Sequence, residues 1–160
     1  MRASRLSLMI ARLIRSVPNG FVAGLVATFL MSRGFSITQS LGAIRELPPR
    51  KAVKAVSPQI KEPNRTTVAT VAHYLVGGGS GAVYGMASSA NPRSRGPLTG
   101  LLFGLAVWMF GYEFLMPRVT GMPLAHRDKR SRALTILIAH VIYGLSLGTV
   151  SRFMTRKAER

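Results

Sequence analysis

Two motifs each occur twice in this chain. Ala-His-x-x-x-Gly-x-x-x-Gly begins at Ala72 and again at Ala139, and Gly-x-x-x-Gly-Leu begins at Gly20 and again at Gly100. Each copy lies in its own apolar run. Such internal repetition indicates that one structural unit is present twice. We therefore predict two tandem two-helix units related by a pseudo-two-fold axis along the membrane normal, because each pair of helices returns the chain to its starting side.

The apolar runs predict the class of fold. They cover residues 17–32, 67–89, 98–116 and 133–151. A helix needs about 20 apolar residues to cross a hydrocarbon core, and the first run reaches that length only if its helix continues past Arg33. The period-2 alternation of barrel strands is absent. We predict an all-α membrane protein with four transmembrane helices, two in repeat 17–89 with its loop 34–66, and two in repeat 97–153.

The charge of the chain is strongly positive. It has 22 Lys and Arg against 5 Asp and Glu, a net charge of +17, and no cysteine. In a soluble protein this balance suggests nucleic acid. Here the cations lie between the apolar runs, which is typical of membrane proteins beside anionic head groups. We predict the lipid bilayer and anionic lipids as partners and no nucleic acid, with Arg50 and Arg118, each after a proline, as head-group contacts.

The two ends of the chain differ from the apolar runs. Residues 1–16 place arginines on one side of a helix and aliphatic side chains on the other. This pattern predicts a basic amphipathic helix in the membrane interface. A mitochondrial presequence is the competing interpretation, because no acidic residue precedes Glu46. Residues 154–160 are predicted to form a basic tail. The Lys and Arg counts of the two membrane sides are nearly equal, so they do not predict the orientation.

Four ionisable residues lie inside the apolar runs or at their edges: Arg33, His73, Glu113 and His140. The histidines occupy equivalent places in the two repeats, about 10 Å into their spans. Ionisable groups in spans usually pair or face a cavity, so we predict an intramembrane polar cluster in one leaflet, with Arg33 paired to Glu113. Two interpretations stay open: a proton or ion path, or histidine hydrogen bonds between neighbouring helices.

Glycines recur every fourth residue in all four runs. Small residues at this spacing let membrane helices approach closely. The predicted packing glycines are Gly20, Gly24, Gly77, Gly81, Gly85, Gly100, Gly104, Gly144 and Gly148. The segment from Gly77 to Ala82 formally matches a dinucleotide-binding fingerprint, but it lacks the strand and the βαβ unit that this fingerprint requires.

Catalytic chemistry has little support in the sequence. Glu113 and Asp128 are not spaced as an acid/base pair, and no Ser/His/Asp set is evident. Two histidines and a glutamate are suitable zinc ligands, but His73 and His140 lie on separate predicted helices. We predict no catalytic residue, no metal and no cofactor.

The order of the motifs resembles the YagU-like family of small bacterial inner-membrane proteins of unassigned function. The resemblance covers about residues 20–151. It rests on Leu-Pro-Pro-Arg at 47–50, the two Ala-His segments, and Gly-x-x-x-Gly-Leu-Ala-Val-Trp at 100–108. It implies a bacterial inner-membrane location and a loose link to acid-stress tolerance, and it supplies no catalytic residues. The mitochondrial inner membrane is the alternative location.

These observations favour a non-enzymatic membrane component. We expect a structural, interaction or stress-tolerance role within the bilayer, with a homo-oligomer or another membrane protein as partner. The alternative is a small proton or ion transporter, or a channel component, that uses the polar cluster of Arg33, His73, Glu113 and His140.

Overall fold

The computed structural model describes residues 5–40, 42, 46–91 and 95–158, and within them every regular element is helical. The longer helices are α1 (Arg5–Ser40), α3 (Asn64–Ala87), α4 (Pro97–Trp108) and α6 (Arg130–Ala158). The shorter elements are α2 (Pro48–Val56), a π-helical segment (Met109–Leu115), α5 (Met116–Thr120) and a 3-10 turn (Ala125–Arg127). The predicted all-α class is therefore confirmed.

Three stretches are long and apolar enough to cross a membrane: Ile10–Ser40, Pro97–Thr120 and Arg130–Arg156. The remaining predicted span, residues 67–89, coincides with α3 except for its last two residues, which follow the end of the helix at Ala87. This helix of 24 residues has sufficient length, but it contains no stretch as apolar as those of the other three. The composition of the described helices thus supports three spans directly.

The predicted interfacial helix is not a separate element. α1 is one continuous helix of 36 residues that includes Pro18, so residues 5–16 extend the helix of the first span. Residues 1–4 of the predicted segment lie outside the described part of the chain. At the other end, α6 continues to Ala158, so most of the predicted basic tail is also helical. Its last two residues, 159–160, are not described.

The third span continues through Pro117 to Thr120 instead of ending before it. A proline inside a helix has no N–H, and its ring crowds the carbonyl four residues back, here that of Glu113. The wider π-helical turns precede this position, and the Met116 N–H donates to the carbonyl of Gly111, five residues back. α5 then ends at Gly121, whose φ of 65° is left-handed.

Two helix pairs meet backbone to backbone at the predicted packing glycines. Between α1 and α3, a Cβ added to Gly24 would lie 3.0 Å from the Cα of Gly81. Between α4 and α6, a Cβ added to Gly104 would lie 2.8 Å from the Cα of Gly144. A Cβ on eight of the nine predicted glycines would meet backbone atoms of the neighbouring helix or of its cap, and at Gly77 it would meet the Thr28 side chain of α1.

The four long helices do not pack symmetrically. α1 packs against α3 and α6, and α4 packs against α6. α3 and α4 meet chiefly near the loop that joins them, where the hydroxyl oxygens of Tyr84 and Thr99 are 3.0 Å apart. Farther from this loop the two helices diverge, and the short helix α2 packs between α3 and α5 at the open end. The divergence leaves space inside the bundle.

A buried arginine joins three helices at the end opposite this space. Arg95 is 6% exposed and donates hydrogen bonds to the hydroxyls of Ser88 (2.8 Å), Ser16 (2.7 Å) and Thr155. These acceptors belong to the end of α3, to α1 and to α6. The contact holds the ends of α3 and α6 against the side of α1, where α3 and α4 also meet.

Candidate binding cavity

A cavity of about 260 Å³ lies where α3 and α4 diverge. α1 and α6 line its floor, the π-helical segment and α5 line one wall, and Pro49 and Val53 of α2 lie at its open end. The lining is mainly apolar and includes Met31, Phe35, Val76, Val107, Leu115 and Ile136. The cavity is smaller than most pockets for drug-sized ligands.

Both predicted histidines line this one cavity. His140 Nδ1 lies 2.8 Å from the carbonyl oxygen of Ile136 in the preceding turn. His73 packs its ring near Phe35, with ring centroids 6.4 Å apart, and its buried Nε2 has no hydrogen-bond partner in the described part of the chain. The structure thus brings together the two equivalent residues of the repeated motif.

Arg33 and Glu113 do not join the histidines. Arg33 is exposed, and its guanidinium carbon lies 5.0 Å from the centroid of the Phe29 ring. Glu113 contacts His126, with Oε1 3.3 Å from Nδ1. The predicted Arg33–Glu113 pair is therefore not formed.

Helical phase explains the position of Arg33. The buried face of α1 repeats every fourth residue through Ala27, Met31 and Phe35. Arg33 lies two residues from Met31 and from Phe35, a rotation of about 200° at 3.6 residues per turn, and so faces away from the core.

Three hydroxyl groups beside the cavity already have protein partners. Tyr143 donates a 2.7 Å hydrogen bond to the carbonyl of Gly77, and Thr28 donates one of the same length to the carbonyl of Gly24. Tyr112 donates to the carboxylate of Asp128. Tyr143 occupies the position that Val76 has in the first repeat. The sequence shows this difference between the copies, but it does not show the hydrogen bond that Tyr143 makes.

Asp128 is the centre of a polar contact that the sequence did not reveal. Its side chain is 2% exposed and accepts hydrogen bonds from Tyr112, from Arg132 (3.0 Å) and from the Lys129 N–H (2.7 Å). These bonds tie the π-helical segment to the start of α6. The available signal was an acidic residue just before a helix, where a carboxylate is favoured.

Arg50 lies near the open end of the cavity, on α2. It pairs with Glu62, which also accepts a 2.7 Å hydrogen bond from Thr66 near the start of α3. The Thr66 hydrogen bond, followed by the Arg50 interaction, lowers the pKa of the Glu62 carboxyl from its ordinary value. The pairing ties α2 to α3.

Arg118 makes a contact within its own helical segment. It donates 2.8 Å to the Phe114 carbonyl and stacks 3.8 Å from the centroid of the Phe114 ring. Both predicted head-group residues, Arg50 and Arg118, therefore make protein contacts. Among the described residues, no three His, Asp or Glu side chains form a group that would hold a metal ion.

The apolar helices indicate a helical membrane protein, and an apolar cavity lies between them. The chain belongs to DUF6789, a family of unknown function, whose sequence model matches residues 14–160. No curated protein and no solved structure matches the chain significantly.

Proposed function

We propose that this protein is a non-enzymatic membrane protein that binds an apolar molecule from the bilayer in the cavity between α3 and α4. The divergence of these helices carries the proposal, because it leaves an apolar space of about 260 Å³ inside a bundle whose helices are suited to lipid. Protein interiors are normally packed without such voids. An apolar pocket with a few polar groups is the usual form of a small-molecule site.

The topology that we propose has four spans arranged as two repeats. α3 is about 36 Å long at 1.5 Å per residue, enough for a hydrocarbon core of about 30 Å. Its glycine face packs on α1 much as α6 packs on α4, which supports a tandem duplication. The resemblance to the YagU-like family favours the bacterial inner membrane, with the mitochondrial inner membrane as the alternative.

Binding without catalysis is supported by the polar groups around the cavity. The hydroxyls of Tyr112 and Tyr143 are engaged by protein partners. The carboxylates of Glu113 and Asp128 pair with His126 and Arg132 instead of the cavity histidines. Among the described residues, neither cavity histidine pairs with a carboxylate, the group that orients the histidine in many catalytic sites.

The binding proposal is tested with Trp108, the single tryptophan of the chain. Its ring packs against Tyr112, with centroids 6.2 Å apart, and Tyr112 lines the cavity. A short brominated hydrocarbon such as 1-bromohexane, added to the protein in nanodiscs, should quench Trp108 emission with saturation. Quenching that rises in proportion to the probe, without saturation, would contradict a discrete site.

A matched pair of substitutions makes the test specific. Gly111 lines the cavity, and a Cβ added there meets no atom within 4 Å, so Gly111→Leu should fill the space and abolish the saturable component. Gly79 is equally open but is not part of the cavity, so Gly79→Leu should leave quenching unchanged. Equal effects of both substitutions would reject the cavity as the binding site.

A proton or ion path is the second candidate function. It is favoured by the placement of His73 and His140 in the same cavity. The measurement is proton or cation flux in proteoliposomes, comparing the wild type with the double variant His73→Ala, His140→Ala. Flux that the double variant abolishes would favour transport, and absence of flux in the wild type would exclude it.

A further inference from the structure

We infer that the cavity selects an uncharged apolar molecule that carries a hydroxyl group, with the hydroxyl held at His140 and His73. Phenols and quinols are examples of this chemistry. The inference rests on the proposed function, since it specifies what that cavity binds. It follows from the hydrogen-bonding capacity that remains unused on the two histidine rings.

His140 presents an acceptor. Its Nδ1 lies 2.8 Å from the Ile136 carbonyl, and a carbonyl oxygen only accepts, so Nδ1 carries the hydrogen. In the neutral ring Nε2 then has no hydrogen and offers a lone pair. The neutral ring is favoured here because charging a group among apolar side chains is costly. The ring of His140 is therefore suited to receive a hydrogen bond from a ligand.

His73 contributes unused capacity of its own. Its Nε2 is buried and has no hydrogen-bond partner among the described residues, an arrangement that is rare in folded proteins. A neutral imidazole has one donor and one acceptor nitrogen. A hydroxyl group likewise both donates and accepts. The ligand hydroxyl can donate a hydrogen bond to Nε2 of His140, and its oxygen can accept one from His73. A second hydroxyl on the ligand can bind His73 instead.

Depth and charge favour an uncharged ligand. His73 lies nine residues after the start of α3 and His140 ten after the start of α6. These separations correspond to about 14 Å along each helix, and the histidines lie well inside a hydrocarbon core about 30 Å thick. A charged head group is expensive at that depth. A hydroxyl on an apolar body is far less so.

The size of the cavity suits a ring or a short chain. Its volume of about 260 Å³ equals roughly nine water molecules at about 30 Å³ each. An alkylphenol of about ten non-hydrogen atoms is close to this limit. A longer tail on a natural ligand would have to leave between the diverging helices α3 and α4.

Two isomeric probes test the role of the hydroxyl. 4-Propylphenol and 4-ethylanisole contain the same atoms, but only the phenol has an O–H to donate. Each is titrated against the bromohexane quenching of Trp108, with excitation beyond the absorption of the probes. We expect the wild type to bind the phenol about tenfold tighter than the ether, the usual size of one hydrogen bond.

Variants of two histidines show where the preference arises. His140→Phe should reduce the phenol-to-ether ratio to near one without weakening the ether, and His73→Phe should reduce it in part. His126→Phe, at an exposed histidine outside the cavity, should leave the ratio unchanged. The ratio is compared across proteins, so the unequal partition of the two probes into lipid cancels.

The outcomes separate this inference from the proposed function. If the ether binds saturably and Gly111→Leu abolishes its binding, but the wild type shows no phenol preference, the cavity binds and the inference is wrong. A preference that persists in His140→Phe also overturns it. If neither probe nor bromohexane binds saturably, both proposals fail. The partition of each probe into empty nanodiscs is measured and divided out of the wild-type comparison, which needs no substitution, so a misfolded variant cannot obscure the result.

A second pair of probes distinguishes a ligand with an aromatic hydroxyl from one with an aliphatic hydroxyl. 1-Nonanol and 1-methoxyoctane differ in the same way as the aromatic pair but have no ring. A preference for the phenol alone indicates an aromatic ligand such as a quinol. A preference for nonanol alone indicates an aliphatic alcohol, equal preferences in both pairs indicate that the hydroxyl is recognised with or without a ring, and no preference in either pair contradicts the inference.

Discussion

Tyr143 of α6 donates a hydrogen bond of 2.7 Å to the carbonyl oxygen of Gly77 in α3. This bond joins the second copy of the repeated motif to the first, and it runs beside the cavity. The equivalent position in the first copy is Val76, which has no hydroxyl. The first copy therefore makes no equivalent hydrogen bond to the second copy. This difference is part of the asymmetric packing in which α3 and α4 diverge.

Removing this hydroxyl should weaken the bundle. Tyr143 is 2% exposed, so Tyr143→Phe leaves the Gly77 carbonyl without this bond, and we expect a loss of about 1 kcal/mol in the free energy of unfolding. The measurement is denaturant unfolding in detergent. Tyr74→Phe is the control, because the Tyr74 hydroxyl makes no hydrogen bond among the described residues. A loss of equal size in both variants would argue against this role for Tyr143.

The glycine contacts give a second prediction about stability. In Gly81→Ala the new Cβ would lie 2.6 Å from the Cα of Gly24 and would overlap the backbone of Gly20. Neither neighbour is a flexible side chain, so α1 and α3 must separate. We expect a loss of about 1–3 kcal/mol, as for other overpacked interiors.

The control for the glycine contact lies two residues away in the same helix. A Cβ at Gly79 meets no atom within 4 Å, and alanine favours helix over glycine by up to about 1 kcal/mol in water. Gly79→Ala should therefore be neutral or stabilising in the same unfolding assay. If Gly81→Ala were also neutral, the close approach of α1 and α3 would be in doubt.

Much of the helical architecture was predictable because it follows from local patterns. Apolar runs of about 20 residues located the three helices that are apolar enough to cross a membrane, and glycines every fourth residue lie at close helix contacts. Equivalent positions in the repeat placed His73 and His140 at one depth, and the structure places both at the same cavity. These features depend on spacing along a single helix, which a sequence displays directly.

Other features depend on how the helices pack, and the sequence does not display them. Arg33 was predicted to pair with Glu113, but the buried face of α1 runs through Met31 and Phe35 and leaves Arg33 exposed. The π-helical turns before Pro117 shift the side chains that follow Trp108. In the sequence Arg95 is indistinguishable from the other loop cations, because its burial results from the ends of α3 and α6 meeting the side of α1 around it.

Arg95 is expected to contribute strongly to stability. Its guanidinium donates to hydroxyls on three helices, a geometry that the single ammonium of lysine does not reproduce. Arg95→Lys should lower the free energy of unfolding by about 2 kcal/mol, since hydrogen bonds from a charged group are worth about 1.5–3 kcal/mol each and lysine retains some of them. Arg152→Lys, at an exposed position on α6, is the matched control and should change little. Equal unfolding midpoints for both variants would contradict the prediction.

The attachment of α2 should depend on pH through Glu62. This carboxylate accepts hydrogen bonds from Thr66 and Arg50, which lower its pKa below the ordinary value of 4.5. A group with a lowered folded-state pKa stabilises the fold above its ordinary pKa, and this contribution is lost as the pH falls through the lowered value. Protonation therefore weakens the tie between α2 and α3 only below about pH 4.5, and the effect is moderate because Glu62 is exposed.

Hydrogen exchange of the α2 amides, corrected for the intrinsic rate at each pH, measures this attachment. In the wild type, protection of α2 should be constant near neutral pH and should fall below about pH 4.5. Glu62→Gln should show reduced protection at neutral pH and no further change on acidification, because its side chain does not titrate. Glu113→Gln is the control, since Glu113 pairs with His126 and has no contact with Arg50. A loss of protection on acidification that persists in Glu62→Gln would assign the titration to another group. The attachment of α2 would then depend mainly on its apolar contacts with the other residues that line the cavity.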